Sequence, residues 1–273
     1  MKLYISCDME GVAGVTSWDQ VDARTPHPEY ATYRRYYTQE VAAAIAGARS
    51  AGATGILVND SHGPMRNLLF EELPSDVRVI FGSRKPHSMV QGGGAYDGAF
   101  FIGYHGGIGD ADAVLSHTYT PSVIYDVRLN GVRCSETTLN AALLGAQGVP
   151  LLMITGDRTT VEGVQSHMPW VHGVIVKESI GFFSADSMSP EAAREAIAAG
   201  AVTALANAAR AKPLRVEPPL ELLVTFAKTE QADYVGWVPG FERAGARQVR
   251  FVHDDMATIF TSFVAMFRLG AMA

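Results

Sequence analysis

Cysteine is scarce: Cys7 and Cys134 are the only two in a chain of 273 residues. That excludes a disulfide framework and suits a reducing compartment. Positive charge is also short, with 22 Lys and Arg against 28 Asp and Glu and a net charge of −6. Without a basic excess, the chain has no electrostatic footprint for a nucleic-acid backbone, so no nucleic-acid partner is expected. Long apolar runs are missing too. The last apolar stretch, Met256 to Met272, carries Arg268 and falls short of a membrane span. The opening residues MKLYISCDMEG hold an apolar run cut by Asp8 and lack a small-residue cleavage site, so no secretory signal is read there and the expected address is the cytoplasm. Internal repeats and low-complexity tracts are absent. What remains, at 48% apolar and 18% charged residues, is an ordinary compact chain of one large domain or two smaller ones.

Strand-length apolar runs alternate with helical patterns, which predicts an α/β fold with a mostly parallel sheet and flanking helices. The predicted strands are Leu3–Cys7, Gly55–Asn59, Val77–Phe81, Ala99–Tyr104 and Leu151–Thr155, with a helix over Tyr30–Ala51 that ends before Gly52. Ile124–Leu129 and Val132–Cys134 flank Asn130-Gly131, a type I′ hairpin signal. Ser189-Pro190 opens an Ala-rich helix to about Ala211. A β-α-β-α block follows: strand Leu220–Phe226, a helix around Gln231–Val238, strand Gln248–Val252 and helix Met256–Leu269. The expected organisation is residues 1–186 as an α/β domain carrying the site and 187–273 as a smaller C-terminal lobe, separate or part of the same domain.

Polar groups in a parallel α/β sheet gather beyond the carboxyl ends of the strands. Asp8 and Glu10 follow the first strand, His62 the second, and His105 ends Ala99–Tyr104. His117 lies in Leu115-Ser116-His117-Thr118, Glu136 follows the hairpin, and Asp157 follows Leu151–Thr155. On an extended backbone, Asp8 and Glu10 would point the same way and repel unless a cation neutralises them. Carboxylates with imidazoles suit zinc, manganese or iron. The bland alternative is that the two acids cap a turn and each histidine is separately solvated.

Asp8-Met9-Glu10-Gly11, Val58-Asn59-Asp60-Ser61-His62, Gly103-Tyr104-His105 and Ser116-His117 together resemble the M55 family of D-aminopeptidases. The likeness continues through Glu136 with Leu139-Asn140-Ala141, and into Leu152-Met153-Ile154 with Gly156-Asp157. It implies a hydrolase with two Zn²⁺ per subunit, assembled as a large ring-like homo-oligomer, with a decamer as the candidate size. By the resemblance, Asp8 bridges both ions, Glu10 and His105 complete one site, His62 and Glu136 complete the other, and His117 is the catalytic histidine. Two departures stand out. The segment 106–114 is one residue longer than the family spacing, and Ser135 and Thr137 flank Glu136 where Gly and Leu are expected.

Two metals about 3.5–4 Å apart activate a water for attack on an amide carbonyl, with His117 assisting. The resemblance therefore implies an aminopeptidase acting on short peptides, D-residues included. The alternatives are a metal amidohydrolase acting on a small non-peptide amide, a phosphoesterase, for which the motifs offer no cationic clamp, and a non-catalytic binding module. Asp60 is expected to secure the loop bearing His62. Asp157 is left between a similar supporting task, a substrate amine and a helix cap. His87, His167, His172 and His253 have no matching context, Cys7 is expected to pack, and Gly92–Gly94 lacks the Lys-Ser/Thr of a phosphate cradle.

Overall fold

The computed structural model describes residues 1–24 and 27–273. In chain order the elements are β1 (Lys2–Cys7), α1 (Pro28–Ser50), β2 (Gly55–Asp60), β3 (Arg78–Ile80), β4 (Gly98–Tyr104), β5 (Ile124–Leu129), β6 (Val132–Arg133), α2 (Glu136–Ala146) and β7 (Leu151–Asp157). Then follow α3 (Arg158–His167), β8 (His172–Gly181), β9 (Ser184–Ser187), α4 (Pro190–Ala206), β10 (Leu220–Phe226), α5 (Thr229–Gly236), β11 (Glu242–Gly245), β12 (Gln248–His253) and α6 (Met256–Gly270).

Two sheets result. The larger has seven strands in the order β3-β2-β1-β4-β7-β8-β9, parallel throughout except for the β8–β9 hairpin. Its central strands are buried on both faces, which is why they read as nearly continuous apolar runs. Along β1, Leu3 and Ile5 join one buried cluster with α1 and α4, while Tyr4 joins the other with α2 and α6. The smaller sheet is antiparallel, in the order β11-β12-β10-β5-β6. Here β10 from the C-terminal block pairs with β5 of the Asn130-Gly131 hairpin, and both hairpin-turn residues have positive φ. Helix α4, which follows residue 187, packs on α1 of the first sheet. The stretches before and after residue 187 therefore contribute to both layers.

β8, β9 and β11 were not expected from the sequence. In β8 the polar Lys177-Glu178-Ser179 interrupts the apolar run that marks the other parallel strands. Among the described residues, no helix is long and apolar enough to cross a membrane.

Candidate metal centre

Strands β1, β2 and β4 end side by side, and the turns beyond them carry Asp8, Glu10, His62 and His105. β1 stops at Cys7, so Asp8 and Glu10 do not meet by extended alternation. A turn closed by Val12 N to Met9 O brings them together instead. This turn is locked onto β4 by Asp8 N donating to Ile102 O and Gly11 N donating to Gly103 O, both at 2.8 Å. The approach requires glycine: a Cβ on Gly11 would lie 1.9 Å from Tyr104 O, and one on Gly103, at φ +70°, would lie 2.2 Å from Asp8 O. On the far side of β4, a Cβ on Gly156 of β7 would meet the same Tyr104 O at 2.1 Å.

Each imidazole uses one ring nitrogen on a main-chain carbonyl and aims the other at the acids. His62 Nε2 lies 2.7 Å from Val21 O, His105 Nδ1 2.9 Å from Gly106 O and His117 Nδ1 2.8 Å from Leu115 O. The opposite nitrogens converge. His62 Nδ1 is 3.0 Å from both Asp8 Oδ1 and Glu10 Oε2. His105 Nε2 is 3.4 Å from Asp8 Oδ2 and 3.5 Å from Glu136 Oε1, and His117 Nε2 is 3.6 Å from Glu136 Oε1 and 4.0 Å from Glu10 Oε1. A ring fixed by a carbonyl on one nitrogen, with the other aimed at carboxylates where a cation can replace its proton, is the arrangement that metal-binding histidines adopt. All six side chains are buried, and among the described residues Asp8 Oδ2 and His105 Nε2 have no hydrogen-bond partner.

The electrostatics agree. Burial alone would raise the Asp8 carboxyl, yet the adjacent His105 and His62 hold it well below the usual carboxylate range. Burial would lower His62 and His105, but Glu10, Asp8 and Glu136 push both well above the ordinary imidazole range. Three buried acids thus demand positive charge, which protons or divalent cations can supply.

Donor atoms lie within 4.8 Å of one another in three groups: Asp8–Glu10–His62, Asp8–His105–Glu136 and Glu10–His105–His117. The pairing implied by the resemblance joined Glu10 to His105 and His62 to Glu136. In the structure His62 sits between Asp8 and Glu10, and His105 between Asp8 and Glu136. The donor set, the buried orphan atoms and the shared Asp8 fit divalent zinc.

The supports are specific. Asp60 Oδ2 accepts from Asn67 N and Leu68 N, and the Asn67 side chain donates to His62 O, so Asp60 does secure the loop bearing His62. Asp157 caps α3 through Thr160 N and also accepts from Val114 N at 3.1 Å, tying down the long 106–114 segment that leads to His117. Ser135, one of the departures, is the N-cap of α2 and starts the helix at Glu136. A carboxylate in a first helical turn is favoured by the exposed amide groups there. Glu136 Oε1 also accepts from Tyr119 N at 2.5 Å.

Two contributors were not foreseen, Lys177 and Trp18. Lys177 of β8, fully buried, donates to Glu10 O, Val12 O and Val15 O at 2.5, 3.1 and 2.7 Å and so fixes the turn carrying Glu10. Its only sequence signal is a lone lysine closing the apolar run 174–176. Trp18 packs edge-on against His117 at 5.3 Å, and His105 stacks on His117 at 4.2 Å. None of His87, His167, His172 and His253 bonds to the six site residues.

The model of the M55 peptidase family, described as D-aminopeptidase, matches residues 1–265. The chain belongs to the M55 D-aminopeptidase family. It is a metallo-aminopeptidase, a hydrolase of peptide bonds. It is 34% identical to a D-aminopeptidase of Bacillus subtilis (strain 168), over 99% of this chain and 98% of the relative. It also superposes with a TM-score of 0.95, at 32% identity and over 100% and 99% of the two chains, on the Zn-dependent D-aminopeptidase DppA from Bacillus subtilis, a self-compartmentalizing protease.

Proposed function

We propose that the protein is a binuclear zinc aminopeptidase that removes N-terminal residues, D-residues among them, from short peptides. The observation carrying this reading is Asp8, whose two carboxylate oxygens face two different donor groups, Glu10 with His62 and His105 with Glu136. Those five residues would hold the ions, with Asp8 shared. When bound, zinc supplies Lewis-acid polarisation of the scissile carbonyl and acidifies a water.

The chain's own residues supply the rest. The Leu115 carbonyl fixes the His117 ring so that Nε2 faces the cleft, where it takes a proton from the attacking water and returns it to the leaving amine. Trp18 and the stacked His105 hold that ring in place and keep it dry. Self-association into a ring of identical subunits is part of the same reading, supported by the self-compartmentalizing relative.

Metal analysis of the purified protein, paired with hydrolysis of D-Ala and L-Ala peptides bearing free or acetylated N-termini, tests the proposal. Two zinc ions per chain and turnover abolished by acetylation are expected. A single ion per chain overturns the binuclear assignment. Indifference to acetylation points instead to an amidohydrolase acting on non-peptide amides.

A further inference from the structure

The cleft, about 690 Å³, is acidic at the metal centre and basic at its far wall. That wall is the end of α6, where Phe267 and Arg268 face the opening beside Ser83 and Ser122. Two ring contacts lead there from the centre. Tyr119, whose amide donates to Glu136, lies 5.3 Å from the Phe267 ring, and the Arg268 guanidinium lies 5.0 Å over that ring.

Several arginines, Arg66, Arg78, Arg84, Arg210 and Arg215 among them, have no side-chain partner among the described residues, and Arg268 is the one of this kind that lines the cleft. On the surface, Arg158 and Arg250 each take two carboxylates. Among the described residues, Arg268 makes neither an ion pair nor a hydrogen bond, although the chain has an excess of acid. Burial, and then the charge of nearby Arg84, lower its guanidinium from the ordinary value. Arg84 pairs with no carboxylate either. The Phe267 face holds the guanidinium plane, and a planar fork presented in this way matches a carboxylate with two parallel hydrogen bonds.

We infer that Arg268 binds the free C-terminal carboxylate of the substrate, which makes the enzyme selective for peptides short enough to end inside the cleft. This rests on the aminopeptidase reading above. With the scissile amide at the acid-rich centre, the other terminus of a short peptide carries the one charge that the far wall lacks. Two or three extended residues beyond the scissile amide reach roughly 7–11 Å, so the carboxylate that meets Arg268 is that of a tri- or tetrapeptide.

The test compares the zinc-loaded enzyme on an alanyl-alanyl-alanine tripeptide, which places two residues beyond the scissile amide, as the free acid and as its C-terminal amide. The readout is the ratio of the two kcat/KM values, from which any general folding or metal-loading defect cancels. A ratio of about 10–100 in favour of the acid, carried mainly by KM, is expected for the wild type. Arg268→Gln should bring the ratio close to one, and Arg268→Lys should leave it intermediate because the charge stays and the fork is lost. A wild-type ratio near one, or an undiminished ratio in Arg268→Gln, overturns the inference and leaves the aminopeptidase reading standing. Inactivity of the wild type on both peptides overturns the two together.

Discussion

At the floor of the cleft, Asp8, Glu10, His62 and His105 stand on turns tied by main-chain hydrogen bonds to neighbouring strands or loops, and every imidazole is braced by a carbonyl. Across the cleft, Phe267 and Arg268 stand on α6, which is held by ring packing: Phe263 lies 4.9 Å and Phe267 5.3 Å from Tyr119. The floor is therefore built from groups whose positions are fixed by the backbone, and the wall from side chains that repack. Chemistry needing donor atoms held to fractions of an ångström belongs on the first kind of surface, and substrate selection tolerates the second.

The sharpest way to break this contrast is at His117. Replacement by Asn should lower kcat by about 10²–10⁴-fold while zinc content is kept. Loss of zinc along with activity would make His117 a ligand instead, in keeping with its place in a donor group with Glu10 and His105.

Next in size is Lys177, which supports the floor from behind. Lys177→Met leaves three carbonyls without their donor in a buried turn, which should cost about 3–5 kcal/mol. Because one of those carbonyls belongs to Glu10, zinc affinity should also fall by about 10–100-fold. Urea melts and zinc titration check both, and wild-type values in either would show that the turn holds without the lysine. The Arg268 acid-to-amide ratio is the matching probe of the wall, expected to move selectivity without moving stability.

The smallest effect is a slope against pH. Glu40 of α1 is buried, accepts from Ala13 N through Oε1, and among the described residues has no hydrogen-bond partner on Oε2. Burial pushes its carboxyl up to about 7, against the pull of the Ala13 amide, Lys177 and Arg194. An acid raised in the folded state favours folding fully below its unfolded value, and that advantage is lost as pH climbs to the folded one. Stability should therefore decline between about pH 4.5 and 7 by at most about 3 kcal/mol. Glu40→Gln keeps the acceptor for Ala13 and should flatten this slope. Parallel denaturation of the two proteins at pH 5 and pH 8 gives the answer, and identical slopes would refute the assignment.

Much of the floor could be read from the sequence because a sheet buried on both faces writes its strands as apolar runs, and polar residues just past those runs fall at one edge. The proximity of Asp8 and Glu10 was expected for a different reason, extended alternation, whereas a turn after Cys7 produces it. Ser135 read as a departure from the family pattern, yet it is the cap that starts α2 at Glu136. Less legible were contacts between distant segments. The pairing of β5 with β10 joins residues nearly a hundred positions apart, and no local pattern announces it. Lys177 acts on carbonyls, which every residue has, so its partners leave no mark on the sequence. Arg268 closes a helix whose amphipathic pattern records burial and gives no hint of the cleft.

The crowding of Gly11 and Gly156 around a single carbonyl, that of Tyr104, has a consequence for how this centre can change. The ends of β1, β4 and β7 are clamped without intervening side chains, so the spacing between the turn carrying Asp8 and Glu10 and the end of β4 carrying His105 is set by peptide against peptide. No rotamer can be exchanged to widen or narrow it. Variation that adapts the enzyme to new substrates is thereby steered away from these turns and toward the loops and helix end that roof the cleft.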